Sequence, residues 1–240
     1  MTYKSLLKLF ATLIAGLFIS TLFTSCDTTQ TTGGNFSLSF GPGTSLPKTT
    51  DDALELTDVK ILLRDIKLEQ ESASKTTDGD HEGEGDEVVV KVGPFVVNLN
   101  LDAITTDVAI SDIPVGTYNE IKFKIHTLEA SETPPDPEFI DGQDPSKRYS
   151  VIVRGTYNSV PFIYKSSKPA HQKIRLEEPI EVVEGTPTNL TITVDPYTWF
   201  YKGDTFLDPT NSTNINDIDN NIAHSFRSAF RDNNHDCHGD

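Results

Sequence analysis

The sequence predicts a mainly β chain: an antiparallel β-sandwich-like domain carrying one C-terminal amphipathic helix. Three observations predict it. Apolar residues alternate with polar ones at a spacing of two in segment after segment, the mark of a strand with one dry face. Glycine and proline separate these segments at short intervals, as antiparallel turns require. Before residue 210 no regular helical stripe alternates with the strands, which argues against a doubly wound α/β enzyme.

The first residues stand outside that domain. Lys4 and Lys8 precede an almost wholly apolar run from Leu9 to Phe23, and Thr24-Ser25-Cys26 follows it. This is the layout of a secretory signal. An uncleaved membrane helix is the other reading, although the run is at the short end for crossing a hydrocarbon core. Leu22-Phe23-Thr24-Ser25-Cys26 resembles the lipobox of bacterial lipoproteins, with Phe23 where that motif usually has Leu. The resemblance implies that residues 1–25 are removed and that the Cys26 thiol carries a diacylglyceryl group. One acyl chain holds a protein to a bilayer marginally and a second makes the anchor stable. Membrane lipid is then the first partner, and the implied location is the bacterial cell envelope, lipid-anchored at the outer membrane.

Residues 26–34 read as a flexible polar tether, because DTTQTTGG offers nothing apolar to bury. The β domain is expected over residues 35–209. FSLSF, with Phe36, Leu38 and Phe40 on one side, predicts an edge strand starting at Asn35. Val59, Ile61 and Leu63 alternate before the register shifts to Ile66 and Leu68; a helix, or a β-bulge or turn near Arg64-Asp65, would explain the shift. Val88–Val90 and Phe95–Val97 predict a hairpin around Gly93-Pro94. Ile121, Phe123 and Ile125 form a half-buried strand, as do Val151 with Val153, Phe162 with Tyr164, and Ile174 with Leu176. Leu190, Ile192 and Val194 alternate with threonines, another strand with one dry face. GTYN occurs at 116–119 and again at 155–158, which predicts two similar turn-to-strand corners.

From residue 210 the pattern changes. Ile215, Ile218, Ile222 and Phe226 recur at helical spacing, with Phe230 near the same stripe, so one helix is expected from about Ile215 to Arg231. Asn214 or Asn216 is its expected cap, and Asp217 and Asp219 favour its positive end. A polar tail completes residues 210–240.

Charge and cysteine usage narrow the classes. The chain carries 20 Lys and Arg against 36 Asp and Glu, and loss of residues 1–25 takes Lys4 and Lys8 with it, giving −18. Such a charge is repelled by phosphate backbones, so no nucleic-acid partner is expected. Cys26 and Cys237 are the two cysteines. With the first acylated there is no disulfide framework, and apolar packing must hold the core.

Four groups of residues are candidates for chemistry. In the tail, Asp232, Asn234 and Asp236 supply alternating oxygens like the start of a calcium loop, but Cys237 stands where glycine is needed and no glutamate closes the site. His235, Cys237 and His238 offer imidazole and thiolate to zinc or a similar metal. A frayed polar end is the plainer reading. Asp78, Asp80, Glu82, Glu84 and Asp86, spaced by glycines, make an acidic loop that calcium would neutralise; a solvated hairpin loop is the alternative. Tyr197, Trp199 and Tyr201 could stack on sugar rings or, more simply, close the end of the core. No nucleophile elbow, phosphate loop or paired zinc histidines occur, so an enzyme is not expected.

The stretch GPFVVNLNLDAITTDVAISDIPVGTYNEIKFKIH, from Gly93 onward, resembles the bacterial lipoprotein family of unknown function numbered 4382. Pro114, Gly116 and Tyr118 occupy its Pro-x-Gly-x-Tyr corner, and the likeness extends loosely over residues 36–195. It implies an exported sandwich-like module and transfers no catalytic residues. The expected role is therefore a lipid-anchored envelope protein that is structural, adhesive or ligand-binding, with an envelope protein or glycan as partner. A calcium- or zinc-binding module is the alternative and an exported hydrolase a third.

Overall fold

The computed structural model describes residues 33–42, 54–70, 86–101, 105–226 and 228–240. The signal, Cys26, and the acidic candidates Asp78, Asp80, Glu82 and Glu84 lie outside the described residues. The strands in chain order are β1 (Gly33–Pro42), β2 (Leu54–Gln70), β3 (Glu87–Lys91), β4 (Phe95–Asn98), β5 (Thr106–Pro114), β6 (Gly116–Ile125), β7 (Val151–Tyr157), β8 (Val160–Ser166), β9 (Ala170–Val182) and β10 (Thr188–Val194). A small ribbon of β11 (Tyr201–Lys202) and β12 (Thr205–Phe206), a helix α1 (Ile215–Ala223) and a final strand β13 (Ser228–Arg231) complete the unit.

The fold is mainly β, as the alternation predicts. One sheet has the order β13-β10-β1-β5; the larger has β8-β7-β2-β6-β9, with β3 and β4 also paired to β2. Their inward faces share one core, where Phe40 of the first sheet meets Phe123 of the second edge to face at 6.0 Å. All strand pairs are antiparallel except β1 with β10.

Several elements differ from the sequence reading. β1 starts at Gly33, inside the expected tether, and is not an edge: β10 and β5 flank it. β2 is one long strand, and its apolar shift is a bulge, with Asp65 at φ 55° and the β6 register slipping between Arg64 and Lys67. Leu62 hands β2 from one partner segment to the next, its N–H bonding Ser150 O and its carbonyl accepting from His126 N, both at 2.8 Å. β3 and β4 form no hairpin. Both run antiparallel to β2, at residues 66–69 and 60–63, and Gly93 at φ 83° kinks the chain between them.

The two GTYN copies are also unlike. Tyr118 is fully buried and its hydroxyl donates to Pro114 O at 2.7 Å, pinning the corner into β6. A closely similar tyrosine bond marks Greek-key sandwiches. Gly155 instead lies within β7, where a Cβ would sit 2.2 Å from Glu55 O, and Asn158 and Ser159, at φ 51° and 63°, make the tight turn into β8.

The expected helix stops at Ala223, and residues 228–231 pair with β10. Ala229 is buried between half-buried Ser228 and Phe230, an alternation that outweighs the helical spacing of Phe226 and Phe230 once β10 offers an edge. Asn214 makes no side-chain cap; Asn211 caps the preceding turn by accepting from Thr213 N at 3.0 Å. Asp217 pairs with Lys202 at 3.0 Å, but Asp219 turns inward and accepts from Tyr164 Oη at 2.7 Å, fastening α1 to β8.

Residues 126–150 form a strap over the outer face of the larger sheet. Leu128 and Phe139 pack there on Leu62 and Ile152, a satellite core that Val96 and Tyr149 border. Its acidic side chains meet cations on the strands: Lys60 bonds Asp136 at 2.8 Å and Glu138 at 2.7 Å, Arg154 bonds Glu138 at 2.7 Å, and Arg64 bonds Glu132 at 2.5 Å. Beside the strap, Lys67, Lys122 and Lys173 stand in register across β2, β6 and β9. Like charges directly opposite destabilise a sheet. Glu87 answers this by bridging Lys67 and Lys122 at 2.7 and 2.9 Å, and those hydrogen bonds, the Lys67 bond foremost, lower its carboxyl from 4.5 to about 2.

Candidate functional site

The richest polar constellation lies where the C-terminal tail covers β10 and β1. β10 is buried on both faces, not one, because its threonine side is polar yet covered. Asn189 is the hub. Its Oδ1 accepts from Ser37 at 2.8 Å and lies 3.0 Å from Ser39 Oγ, while its Nδ2 donates to Thr191 Oγ1 at 3.1 Å and to Asp232 O at 2.8 Å. Ser39 Oγ is also 2.7 Å from Asp107 Oδ1.

Asp232 is fully buried. Its carboxylate accepts from Thr191 Oγ1 at 2.9 Å, Asp236 N at 3.0 Å and Cys237 N at 3.2 Å, so the tail turns around it. The backbone adds Asp232 N to Asn189 O at 3.0 Å and Asp240 N to Arg231 O at 3.1 Å. The tail is therefore a folded cap rather than a frayed end. His235 and Cys237 adopt positive φ, 60° and 65°, to complete the turn.

The tail's sequence-derived metal candidates occupy this cap without converging on a common point. Asp232 spends its oxygens on backbone N–H groups. Asn234 Nδ2 donates to Asp236 Oδ2 at 3.0 Å, His235 Nδ1 lies 3.3 Å from Thr105 Oγ1, and His238 is exposed. Among the described residues no three His, Cys, Asp or Glu side chains are disposed to hold a metal ion. Cys237 is half-buried; burial, with Asp232 and Asp236 nearby, pushes its thiol above the ordinary value. That favours the protonated form, a poor nucleophile and ligand. Asp86, the one described residue of the acidic loop candidates, is exposed and its carbonyl accepts from Gln70 N at 3.0 Å.

The aromatic group divides. Trp199 and Phe200 are fully buried in the core, so Trp199 offers no face to a sugar ring. Trp199 Nε1 has no hydrogen-bond partner among the described residues. Tyr197 borders a hollow of about 20 Å³, room for one water. Tyr201 meets Phe206 edge to face at 5.6 Å, and Phe206 stacks on Tyr157 at 3.8 Å. Closure of the core is what this group accomplishes.

A larger opening lies beside the cap. Glu177, Glu178 and Pro179 of β9 face Phe230, Arg231 and Asp240 across a cleft of about 350 Å³. It exists because β9 spends extra residues there: Glu120 pairs with Arg175 but Tyr118 pairs with Ile180. Three carboxylates, one guanidinium and a half-buried ring suit a cationic or hydroxyl-rich ligand. Sequence reading missed the β9 side; the only signal was Glu177-Glu178-Pro179, which interrupts the alternation.

The chain matches no family model, no curated protein and no solved structure. Among the described residues no helix is long and apolar enough to cross a membrane.

Proposed function

We propose that the chain is a lipid-anchored protein of the bacterial cell envelope that displays a β-sandwich with a non-catalytic role in envelope structure, adhesion or ligand capture. The observation that carries this reading is the lipobox-like Leu22-Phe23-Thr24-Ser25-Cys26, with the first strand starting only seven residues later at Gly33. A signal that ends in an acylated cysteine and leads almost directly into a folded unit holds that unit at a membrane surface. For ligand capture the cleft of about 350 Å³ between β9 and the C-terminal cap is a candidate opening among the described residues.

Mass spectrometry of protein made in a bacterial host tests the anchor. The expected product starts at Cys26, carries acyl chains and fractionates with membranes, while Cys26→Ser yields no acylated product. An unmodified Cys26 in a freely soluble product would overturn the proposal.

A further inference from the structure

The end of the sandwich at which the chain enters carries two exposed valines. Gly33 lies opposite Pro114, so Val115 sits beside the entry point. Gly34 is packed so tightly on the next turn that a Cβ there would lie 2.4 Å from Val182 Cγ1 and 3.0 Å from Val183 O. Val115 is 39% exposed and Val183 46%, although both follow strands whose inward residues are buried. Both valines occupy tight turns, the second closed by Thr186 N donating to Val183 O at 3.2 Å. Asp112, Glu181 and Glu184 are exposed around them, and no lysine or arginine shares these two turns.

The chain between Cys26 and Gly33 limits where this end can go. Seven residues span at most about 25 Å fully extended. We infer that this end is a membrane-docking tip, with Val115 and Val183 entering the head-group region of an uncharged bilayer and the acidic residues staying in water around them. The inference rests on acylation of Cys26. Carboxylates at the rim oppose approach to anionic lipid, so a zwitterionic surface is the fitting partner. Exposed apolar turns beside a short anchor are then used rather than wasted.

Full-length acylated protein in a Cys237→Ser background would carry Val115→Cys, Val183→Cys or Ser159→Cys, each labelled with an environment-sensitive dye. Ser159 lies in the β7–β8 turn; Tyr157 there pairs with Leu54, whereas Tyr118 near the tip pairs with Gln70, so the two places mark opposite ends of β2. In phosphatidylcholine vesicles containing spin-labelled lipid, dyes at 115 and 183 are expected to lose fluorescence and the dye at 159 to keep it. Phosphatidylserine in the vesicles should weaken the loss. Vesicle-bound, acylated protein with equal quenching at all three positions, or none, overturns the docking tip and leaves the anchor intact. Dye protection that depends on protein concentration without vesicles assigns the tip to a second copy and also overturns it. An unmodified Cys26 removes the anchor reading itself.

Discussion

Phe139→Ala should free the strap while leaving the sandwich folded. Phe139 is fully buried, yet its partners are Leu62, Leu128 and Ile152 of the satellite core, not the main core. Truncating a buried phenylalanine costs about 3–5 kcal/mol. The ion pairs that also hold the strap are partly exposed, and each such pair contributes about 1 kcal/mol or less. The cost therefore falls mainly on strap closure, and at one decade per 1.4 kcal/mol the opening constant rises about 10²- to 4 × 10³-fold. Hydrogen exchange read by mass spectrometry reports this directly. The amides of Asp141 and Tyr149, which bond Lys147 O at 3.0 Å and Phe139 O at 2.9 Å, should exchange faster by that factor. Amides of β7 paired to β2 should hold their protection. Lys60→Ala, which removes two such pairs, should accelerate the same amides less than about thirtyfold. Equal acceleration in strap and sheet would refute the reasoning, since the strap would then be one cooperative unit with the sandwich. No acceleration anywhere would show that Phe139 does not hold it.

Three further outcomes follow from particular contacts. Tyr118→Phe removes the hydroxyl that donates to Pro114 O and should cost about 1 kcal/mol, seen as a melting shift of about 2–4 °C; an unchanged melting curve would show the corner bond to be idle. Asp232→Ala leaves Thr191 Oγ1 and the N–H groups of Asp236 and Cys237 without their buried acceptor, so about 2–3 kcal/mol should be lost in urea unfolding; a loss below a few tenths would mean that the tail simply leaves. Glu87 has a carboxyl lowered to about 2 by Lys67 and Lys122, so its contribution is present above the ordinary 4.5 and is lost as pH falls from there toward 2. Because the group is about one-third exposed, solvent screening limits this to about 1 kcal/mol. Glu87→Gln should melt earlier than the natural chain at neutral pH and match it near pH 2, and a difference that persists undiminished in acid would contradict the linkage.

What was legible in the sequence is what one strand can report about itself. Ile121, Phe123 and Ile125 announce β6 because each faces the core, and Lys122 and Lys124 between them do not. What was not legible depends on partners far along the chain. Thr191 looks like the wet side of β10 until Asp232 covers it. Without that contact in view the tail looks frayed, since its residues offer almost nothing apolar to bury. Phe226 and Phe230 satisfy a helical stripe, but the open edge of β10 claims Ser228–Arg231 instead. Phe139 sits in a proline-rich segment that reads as a loop, and only the apolar back of β2 and β7, which it covers, reveals its use. The Asp78–Glu84 segment and Cys26 were equally readable as chemistry, and they lie outside the described residues.

The parallel pairing of β1 with β10 governs the order in which the molecule can be completed. The earliest-made strand places Phe36 opposite Thr188, and β13 must still follow to finish that sheet. During synthesis the leading strand thus waits, unmated on that side, until residues 188–194 exist. Closing so distant a pair is entropically slow. With this topology the inner edge of β1 stays open until β10 is made, and the sheet is complete only once β13 joins it.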